Sequence, residues 1–348
     1  MNRVAARPTT APLAVLVVDD SAFMRLALRR IIEADGDLHV VGEAADGAAA
    51  IAQAARLLPD VVAMDIEMPG MDGLEATRLL MAGPHPPAIV MVSHHTTEGS
   101  AMALAAMQAG AADWLSKDTG LGGLDLGHLD RELRARLRHW GLAQRAVNPA
   151  PAPHAATAPH TSEVEVVVVG ASTGGPDALA ALLAAMGRLP VPAVLAQHMP
   201  EGMAADFVRA LARHSGLPVV LATQGMVLAP GQVAVLPGGQ DGALLRRPEG
   251  LAIRLSPRGS AAHPSVDVLF TSAAMAAHGA LGVVLTGMGQ DGAAGAAAMA
   301  RRGYQVLVQA PASCVVAGMP NAVLALVPGA ETGTPAEIGG MVRSLTTR

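Results

Sequence analysis

The most constraining feature of this sequence is a strand, a glycine-rich turn and a helix that follow one another between Val164 and Met186. Residues 164–169 are nearly all valine, which is typical of a buried strand. The segment GASTGG then interrupts the run, and Pro176 suits the first turn of a helix whose following residues are mostly leucine and alanine. This order predicts that Ser172 lies on a turn from a strand into a helix.

Ser172 stands in a G-x-S-x-G arrangement, which is typical of a serine nucleophile. Such a turn exposes the hydroxyl beside the free N–H groups of a helix start, where an oxyanion would be held. Glycine-rich turns also bind phosphates, and many are only turns. The Rossmann and P-loop glycine patterns are both absent. On this stretch alone, the choice between a nucleophile, an anion site and a simple turn stays open.

Composition limits the class of protein. At 348 residues, the chain is long enough for two domains with separate cores. It has 24 lysines and arginines against 29 acidic residues, so it lacks the positive charge that nucleic-acid binding needs. The single cysteine, Cys314, favours a reducing compartment, and no apolar run of about 18 residues is long and uninterrupted enough to span a membrane. We expect a soluble, cytoplasmic protein that is not membrane-embedded and binds no nucleic acid.

Residues 13–138 alternate between short apolar runs and segments with helical spacing. Strands that alternate with helices favour an α/β fold with a doubly wound parallel sheet. Polar residues follow directly on several strands, at the sheet edge where ligands bind in open α/β sheets. The predicted strands are Leu13–Val18, His39–Glu43, Val61–Met64, Ile89–Val92 and Asp113–Ser116.

Five polar residues gather at these strand ends. Asp19, Asp20 and Asp65 repel one another and would suit a hard divalent cation such as Mg²⁺. Ser93 and Lys117 end two further strands and would suit phosphoryl oxygens, toward which one carboxylate could act as a nucleophile. Any one aspartate alone is more simply explained as a turn or a helix cap. Five suitable residues at four strand ends favour a phosphoryl site.

The motifs VLVVDDS, AMDIEMPGMDG, MVS and DWLSK resemble the receiver domain of bacterial response regulators, over the whole first domain. The resemblance implies that Asp65 is phosphorylated and that Ser93 and Lys117 contact the phosphoryl group. Trp114 stands at the aromatic switch position, where this family more often has tyrosine or phenylalanine. The implied Mg²⁺ ligands are Asp20, Asp65, the main-chain carbonyl of Glu67 and, nearby, Asp19.

Residues 139–162 are rich in proline, alanine and threonine, and we interpret them as an extended, exposed linker. His154 and His160 lie in this stretch without further metal-ligating residues nearby, so we interpret them as solvated. The boundaries place a first domain at 13–138 and a second at 163–348.

In the second domain, Ala193–Gln197 predicts another buried strand, which ends at His198. A strand–helix–strand unit makes its two strands parallel and usually neighbours, so their carboxyl ends lie together. Ser172 ends the first strand and His198 ends the second. We therefore expect Ser172 as a nucleophile and His198 as its general base.

A third group should orient the imidazole of such a pair. The predicted strand Leu281–Thr286 leads to Asp291, which stands beside a helix start. Asp241, in a Pro-Gly-Gly turn, and Asp267, at the start of an amphipathic helix, are competing carboxylates. From position alone, Asp291 is favoured over these alternatives, which stay open.

The motifs GASTGGPDAL, AQHMP, HPSVDVLF, LTGMGQDGA and ASCVVAGMP resemble the catalytic domain of chemotaxis protein-glutamate methylesterases (CheB). The resemblance spans the second domain, implies a Rossmann-like three-layer fold, and agrees with a receiver domain in front. Two positions depart from the family, because Asp241 stands where histidine is usual and Ala310 where an acidic residue is usual. The implied site is the triad Ser172, His198 and Asp291, with main-chain N–H groups around Thr173 and Met288 holding the oxyanion.

The resemblance implies a serine carboxylesterase that hydrolyses glutamate methyl esters and deamidates glutamines on methyl-accepting chemoreceptors, for adaptation in chemotaxis. A chemotaxis histidine kinase would phosphorylate Asp65 and so activate the esterase. Mg²⁺ would serve only this phosphorylation, and the ester chemistry would need no cofactor. The alternative is a second domain that only binds an anion or a partner, with His198 structural. A DNA-binding output is disfavoured because the sequence has no basic helix-turn-helix pattern.

Overall fold

The computed structural model describes residues 11–93, 99–117, 126–145, 163–257 and 262–347 of the chain. The chain forms two compact units, one with a five-stranded sheet and one with a seven-stranded sheet. Within the described residues, no helix is long and apolar enough to cross a membrane. Residues 146–162 of the predicted linker, with His154 and His160, lie outside the described ranges.

The five strands of the first unit are all parallel and lie in the order β2-β1-β3-β4-β5, which confirms the predicted doubly wound sheet. The strands are β1 (Leu13–Val18), β2 (Leu38–Ala44), β3 (Val61–Met64), β4 (Ala88–Ser93) and β5 (Asp113–Ser116). In chain order, the helices up to residue 145 are α1 (Ala22–Ile32), α2 (Gly47–Leu57), α3 (Gly73–Met81), α4 (Gly99–Ala109) and α5 (Leu126–Arg145).

Helix α5 continues to Arg145, beyond the boundary at residue 138 that composition predicts. Its last turns contact the sheet of the first unit. The sequence does not reveal these contacts, because the hydrophobic periodicity fails near residue 138. The buried Trp140 donates from its indole N–H to Asp113 Oδ2 at 3.0 Å. Arg145 pairs with Asp60 at 2.7 Å. The helix is therefore held to the first unit as far as Arg145.

The second unit has a seven-stranded parallel sheet in the order β14-β13-β12-β6-β7-β9-β8, and a separate antiparallel hairpin, β10–β11, that the sequence reading did not predict. The sheet strands are β6 (Val166–Ala171), β7 (Ala193–Gln197), β8 (Val219–Leu221), β9 (Val233–Val235), β12 (Ala280–Val284), β13 (Val306–Gln309) and β14 (Glu331–Gly333). The hairpin consists of β10 (Gln240–Arg247) and β11 (Gly250–Pro257). The helices are α6 (Gly175–Met186), α7 (Ala204–Ser215), α8 (Val266–Ala276), α9 (Ala293–Arg301), α10 (Gly318–Leu326) and α11 (Pro335–Thr346).

Strand β6 runs through Gly170 to Ala171, two positions further than the valine run predicts. A Cβ atom on Gly170 would lie 2.2 Å from Cγ1 of Val266, so only glycine lets α8 approach the strand this closely. Gly170 is therefore a packing position inside the strand rather than a strand breaker. As a result, β6 delivers its next residue, Ser172, directly to the carboxyl edge of the sheet.

Candidate active site and phosphoryl site

Ser172 lies between the end of β6 and the start of α6, on the predicted turn. Its N–H donates to the carbonyl of Thr286 at 3.0 Å, and its own carbonyl accepts from Gly175 N–H at 2.8 Å. Gly174 adopts φ +76°, a left-handed conformation that favours glycine. The Ser172 hydroxyl is buried and has no hydrogen-bond partner within the described part of the chain. A buried hydroxyl without a partner is rare and indicates a group kept for a ligand or a reaction.

His198 follows β7, which pairs with β6 in parallel register as the sequence predicts. Its main-chain N–H donates to the carbonyl of Ala171 at 3.0 Å, directly beside Ser172. The amide of Gln197, fully buried, donates to the carbonyls of both Ser172 (3.0 Å) and His198 (2.9 Å). Main-chain and side-chain hydrogen bonds therefore link the turn that carries Ser172 to the turn that carries His198.

Asp291 is the carboxylate that lies against the imidazole, with its Oδ2 atom 2.8 Å from Nε2 of His198. Burial acts to raise the pKa of Asp291, but the bond to His198 and those from main-chain N–H groups outweigh it and lower this pKa. The group is therefore an ionised acceptor at neutral pH. Its other donors are the N–H groups of Val266 (2.7 Å), Asp267 (2.9 Å) and Gly292 (3.0 Å) and the hydroxyl of Ser265 (3.2 Å).

Asp241 and Asp267, the two competing carboxylates, make different contacts. Asp241 is buried in β10, where its Oδ1 atom accepts from Ser265 N–H at 2.8 Å and lies 3.4 Å from Nδ1 of His263. Asp267 lies in the first turn of α8, as its sequence context predicts. Asp241 stands where the resembled family usually has histidine, and it holds the chain segment that leads into α8.

The main-chain N–H groups of Thr173 and Met288, both buried, have no acceptor within the described residues. Nearly all buried N–H groups are paired in folded proteins, so such donors suit an anionic group of a ligand. Gly287 brings the second loop close, since a Cβ atom there would lie 2.8 Å from Ser172 Cβ. The hydroxyl of Thr286 donates to the Thr173 carbonyl at 2.9 Å and links the two loops.

Sequence reasoning missed three buried polar residues that hold this site. Gln197 binds both turns, and a Cβ atom on Gly175 would lie 1.9 Å from its Oε1 atom, which explains the glycine there. Thr286 joins the turn of Ser172 and Thr173 to the loop that carries Met288. Gln309 accepts from Thr286 N–H at 2.8 Å and donates to the carbonyl of the Ser313 loop at 2.9 Å. The signal that could have found them is a polar residue at the end of a fully apolar strand.

In the first unit, the structure brings together Asp19, Asp20 and Asp65, and one carboxylate oxygen from each lies within 4.8 Å of the other two. The buried ammonium of Lys117 lies 2.7 Å from Asp19 and 3.1 Å from Asp65. Burial raises the pKa of Asp65, although Lys117 opposes the rise. Ser93 is buried, and its carbonyl accepts from Lys117 N–H at 2.7 Å.

Three carboxylates at this spacing fit the oxygen ligands that Mg²⁺ prefers. Arg25 holds the loop that carries two of them, since its Nη1 atom donates to the carbonyls of Asp19 (2.8 Å) and Asp20 (3.1 Å). The side chain of Glu67 is exposed, and its main-chain carbonyl as a ligand stays a prediction. Trp114 is buried in β5.

Comparison with known proteins gives the same two regions. Residues 167–342 match the family described as CheB methylesterase, and residues 15–125 match the family described as response regulator receiver domain. A protein-glutamate methylesterase/protein-glutamine glutaminase of Myxococcus xanthus is 44% identical over 90% of this chain and 92% of its own length. A protein of the same description from Nocardioides sp. is 40% identical, covering 89% and 88%. The crystal structure of the Thermotoga maritima CheB methylesterase catalytic domain is 30% identical with a TM-score of 0.50, covering 53% of this chain and all of that one.

Proposed function

Because this chain belongs to the CheB methylesterase family and carries a response regulator receiver domain, we propose that Ser172, His198 and Asp291 are its catalytic triad. The enzyme hydrolyses glutamate methyl esters and deamidates glutamines on chemoreceptors, under control of the receiver domain. The observation that carries the triad is the 2.8 Å contact of His198 with Asp291, next to the unpartnered hydroxyl of Ser172.

In the first step, the Ser172 hydroxyl attacks the side-chain carbonyl of a methylated glutamate. His198 takes the serine proton on Nδ1, because Nε2 faces Asp291. The N–H groups of Thr173 and Met288 then stabilise the oxyanion of the tetrahedral intermediate.

In the second step, His198 gives its proton to the departing methoxy group, and methanol leaves a glutamyl ester on Ser172. Water, deprotonated by His198, then attacks this ester and releases the glutamate carboxylate and the serine hydroxyl. A glutamine side chain follows the same path and releases ammonia. Asp291 holds the Nε2–H tautomer throughout and stabilises the imidazolium that forms in each step.

In the receiver domain, Asp65 accepts a phosphoryl group from a chemotaxis histidine kinase. Ser93 and Lys117 contact this group, and the Lys117 ammonium already lies 3.1 Å from the Asp65 carboxylate. Asp19, Asp20, Asp65 and the main-chain carbonyl of Glu67 would hold Mg²⁺, which when bound neutralises charge on the phosphoryl oxygens. We propose residues 13–145 as the receiver domain and 163–348 as the catalytic domain, with the linker between them.

Replacing Asp65 with asparagine is expected to abolish activation while leaving basal hydrolysis unchanged, because the amide cannot accept a phosphoryl group. Methanol release from methylated receptor membranes, with and without a small phosphodonor and Mg²⁺, measures this. Asp72→Asn is the matched control from the same loop. Asp72 caps α3 by accepting from Glu75 N–H at 2.7 Å, and asparagine caps equally well. Activation that survives in Asp65→Asn, or disappears in Asp72→Asn, would contradict the assignment of Asp65.

A further inference from the structure

The segment that leads into α8, residues 263–267, holds the site from outside the triad. The carbonyl of His263 accepts from Met199 N–H at 3.0 Å, next to the catalytic histidine. Ser265 donates its hydroxyl to Asp291 at 3.2 Å and caps α8 by accepting from Val268 N–H at 3.3 Å. This one segment therefore fixes both the backbone beside His198 and the carboxylate that faces its imidazole.

Asp291 and Asp267 cap each other's helices. Asp291 immediately precedes the turn into α9, yet its carboxylate accepts from the first N–H groups of α8. Asp267 lies in the first turn of α8, yet its carboxylate accepts from Gly295 N–H in the first turn of α9 at 2.7 Å. A Cβ atom on Gly295 would lie 2.6 Å from Phe270 Cβ and 3.1 Å from Asp267 Cα, so glycine is needed for this approach. The exchange holds the two carboxyl groups side by side at two adjoining helix starts.

We propose that Asp267 is a positioning residue for the reaction, which fixes Asp291 against His198 and adds a second negative charge behind it. This proposal rests on the triad assigned above. Asp267 does not act on substrate, but its charge reaches the imidazole through Asp291. A negative charge there favours the imidazolium of His198, which forms as the serine proton is removed.

The ionisation of Asp267 is coupled to its neighbours. Burial, followed by the charge of Asp291, raises the pKa of Asp267 to about 6. Asp291 faces it from the loop before α9, and His198 lies beyond Asp291 at the end of β7. Asp241 of β10 and His263 pair with each other at the start of the segment that enters α8. Below about pH 6, a neutral Asp267 hydroxyl donates toward Asp291 and weakens it as an acceptor for His198, whereas above this pH both carboxylates face the imidazole.

The ionised form of Asp267 should therefore raise the activity but lower the free energy of unfolding. A pKa raised in the folded state means that the proton on Asp267 stabilises the fold at pH values below its ordinary pKa of 3.8. That stabilisation is lost as the pH rises through about 6. Asp267→Asn removes the repulsion with Asp291, so the variant should unfold no more readily than wild type above this pH. A purely structural residue would instead lose stability when changed.

The test is methanol release from methylated receptor membranes as a function of pH, on both sides of 6, with the full-length protein. On the acid side, wild type should lose about the first tenfold of its activity more steeply than a single protonation allows, because Asp267 also takes up a proton in this range. Asp267→Asn should show the slope of one protonation and a plateau lowered about tenfold, which corresponds to about 1.4 kcal/mol of lost stabilisation in the transition state. Asp206→Asn, in the first turn of α7, is the matched control and should behave as wild type.

Two outcomes would overturn the proposal and leave the triad standing. One is an Asp267→Asn profile equal to that of wild type while Ser172→Ala is inactive. The other is a wild-type acid limb that needs only one protonation, a result that depends on no variant folding. If Asp267→Asn does not fold, Asp267→Glu is measured instead. This variant keeps the carboxyl group and should keep the steep acid limb of wild type. Activity in Ser172→Ala would instead contradict the proposed function itself.

Discussion

Replacing Ser172 with alanine is expected to lower methanol release from methylated receptors by about 10⁴–10⁶-fold, the range seen when a serine nucleophile is removed. The loss is large because this hydroxyl forms the covalent bond to the substrate. The fold should be unaffected, since the hydroxyl makes no hydrogen bond within the described residues. Thermal unfolding of the variant, compared with that of wild type, measures this second part.

Ser215→Ala is the matched control, because the Ser215 hydroxyl donates to the Leu211 carbonyl at 2.7 Å, at the end of α7. It should keep the wild-type rate. The two variants should also differ in their rates of deamidation, since ammonia release from receptor glutamines uses the same nucleophile. A Ser172→Ala protein that still hydrolyses either substrate at a rate near wild type would show that the nucleophile lies elsewhere.

Replacing Asp291 with asparagine is expected to lower the rate by about 10⁴-fold, as seen when the triad aspartate of a serine protease is changed to asparagine. The amide carries no charge to stabilise the His198 imidazolium, and it does not enforce the Nε2–H tautomer. The change should also destabilise the fold. Val266 N–H donates to Oδ2 and Asp267 N–H to Oδ1, and asparagine has only one acceptor oxygen for the two donors.

The contribution of Asp291 to the free energy of unfolding depends on pH in a definite direction. The pKa of Asp291 is lowered in the folded protein, so its ionisation stabilises the fold above the ordinary carboxyl pKa of 3.8. That stabilisation is lost as the pH falls through the lowered pKa. At neutral pH, Asp291→Asn should therefore melt below wild type, whereas Asp267→Asn should not. Near-normal turnover by Asp291→Asn would indicate that Asp241 or Asp267 orients the imidazole instead.

The neighbouring positions of Ser172 and His198 at the sheet edge could be predicted because they depend on topology rather than on side-chain detail. A helix that joins two parallel strands brings their carboxyl ends together, and the register of β6 with β7 does so here. Asp291 could be favoured for the same reason, since it follows β12, the neighbour of β6 on the other side. Asp19 and Asp65 in the receiver domain could be predicted to lie together for the same reason, because each follows a strand of one parallel sheet.

The supporting contacts could not be predicted, because they join segments far apart in the sequence through side-chain geometry. The exchange of caps between Asp267 and Asp291 depends on how closely α8 and α9 approach, which glycine at position 295 permits. Which ring nitrogen of His198 faces Asp291 depends on the rotation of its side chain. Arg145 of α5 pairs with Asp60, a contact distant in the sequence that no local pattern reveals.

The measurement that tests the central claim most directly is covalent labelling of the full-length protein with a phosphonylating probe, followed by peptide mapping. The catalytic reading predicts one adduct per chain, on Ser172, and none in Ser172→Ala. Labelling should stop in His198→Ala as well, because the serine then lacks its base. No adduct on wild type, or an adduct on another residue while methanol release continues, would contradict the assignment of Ser172 as the nucleophile.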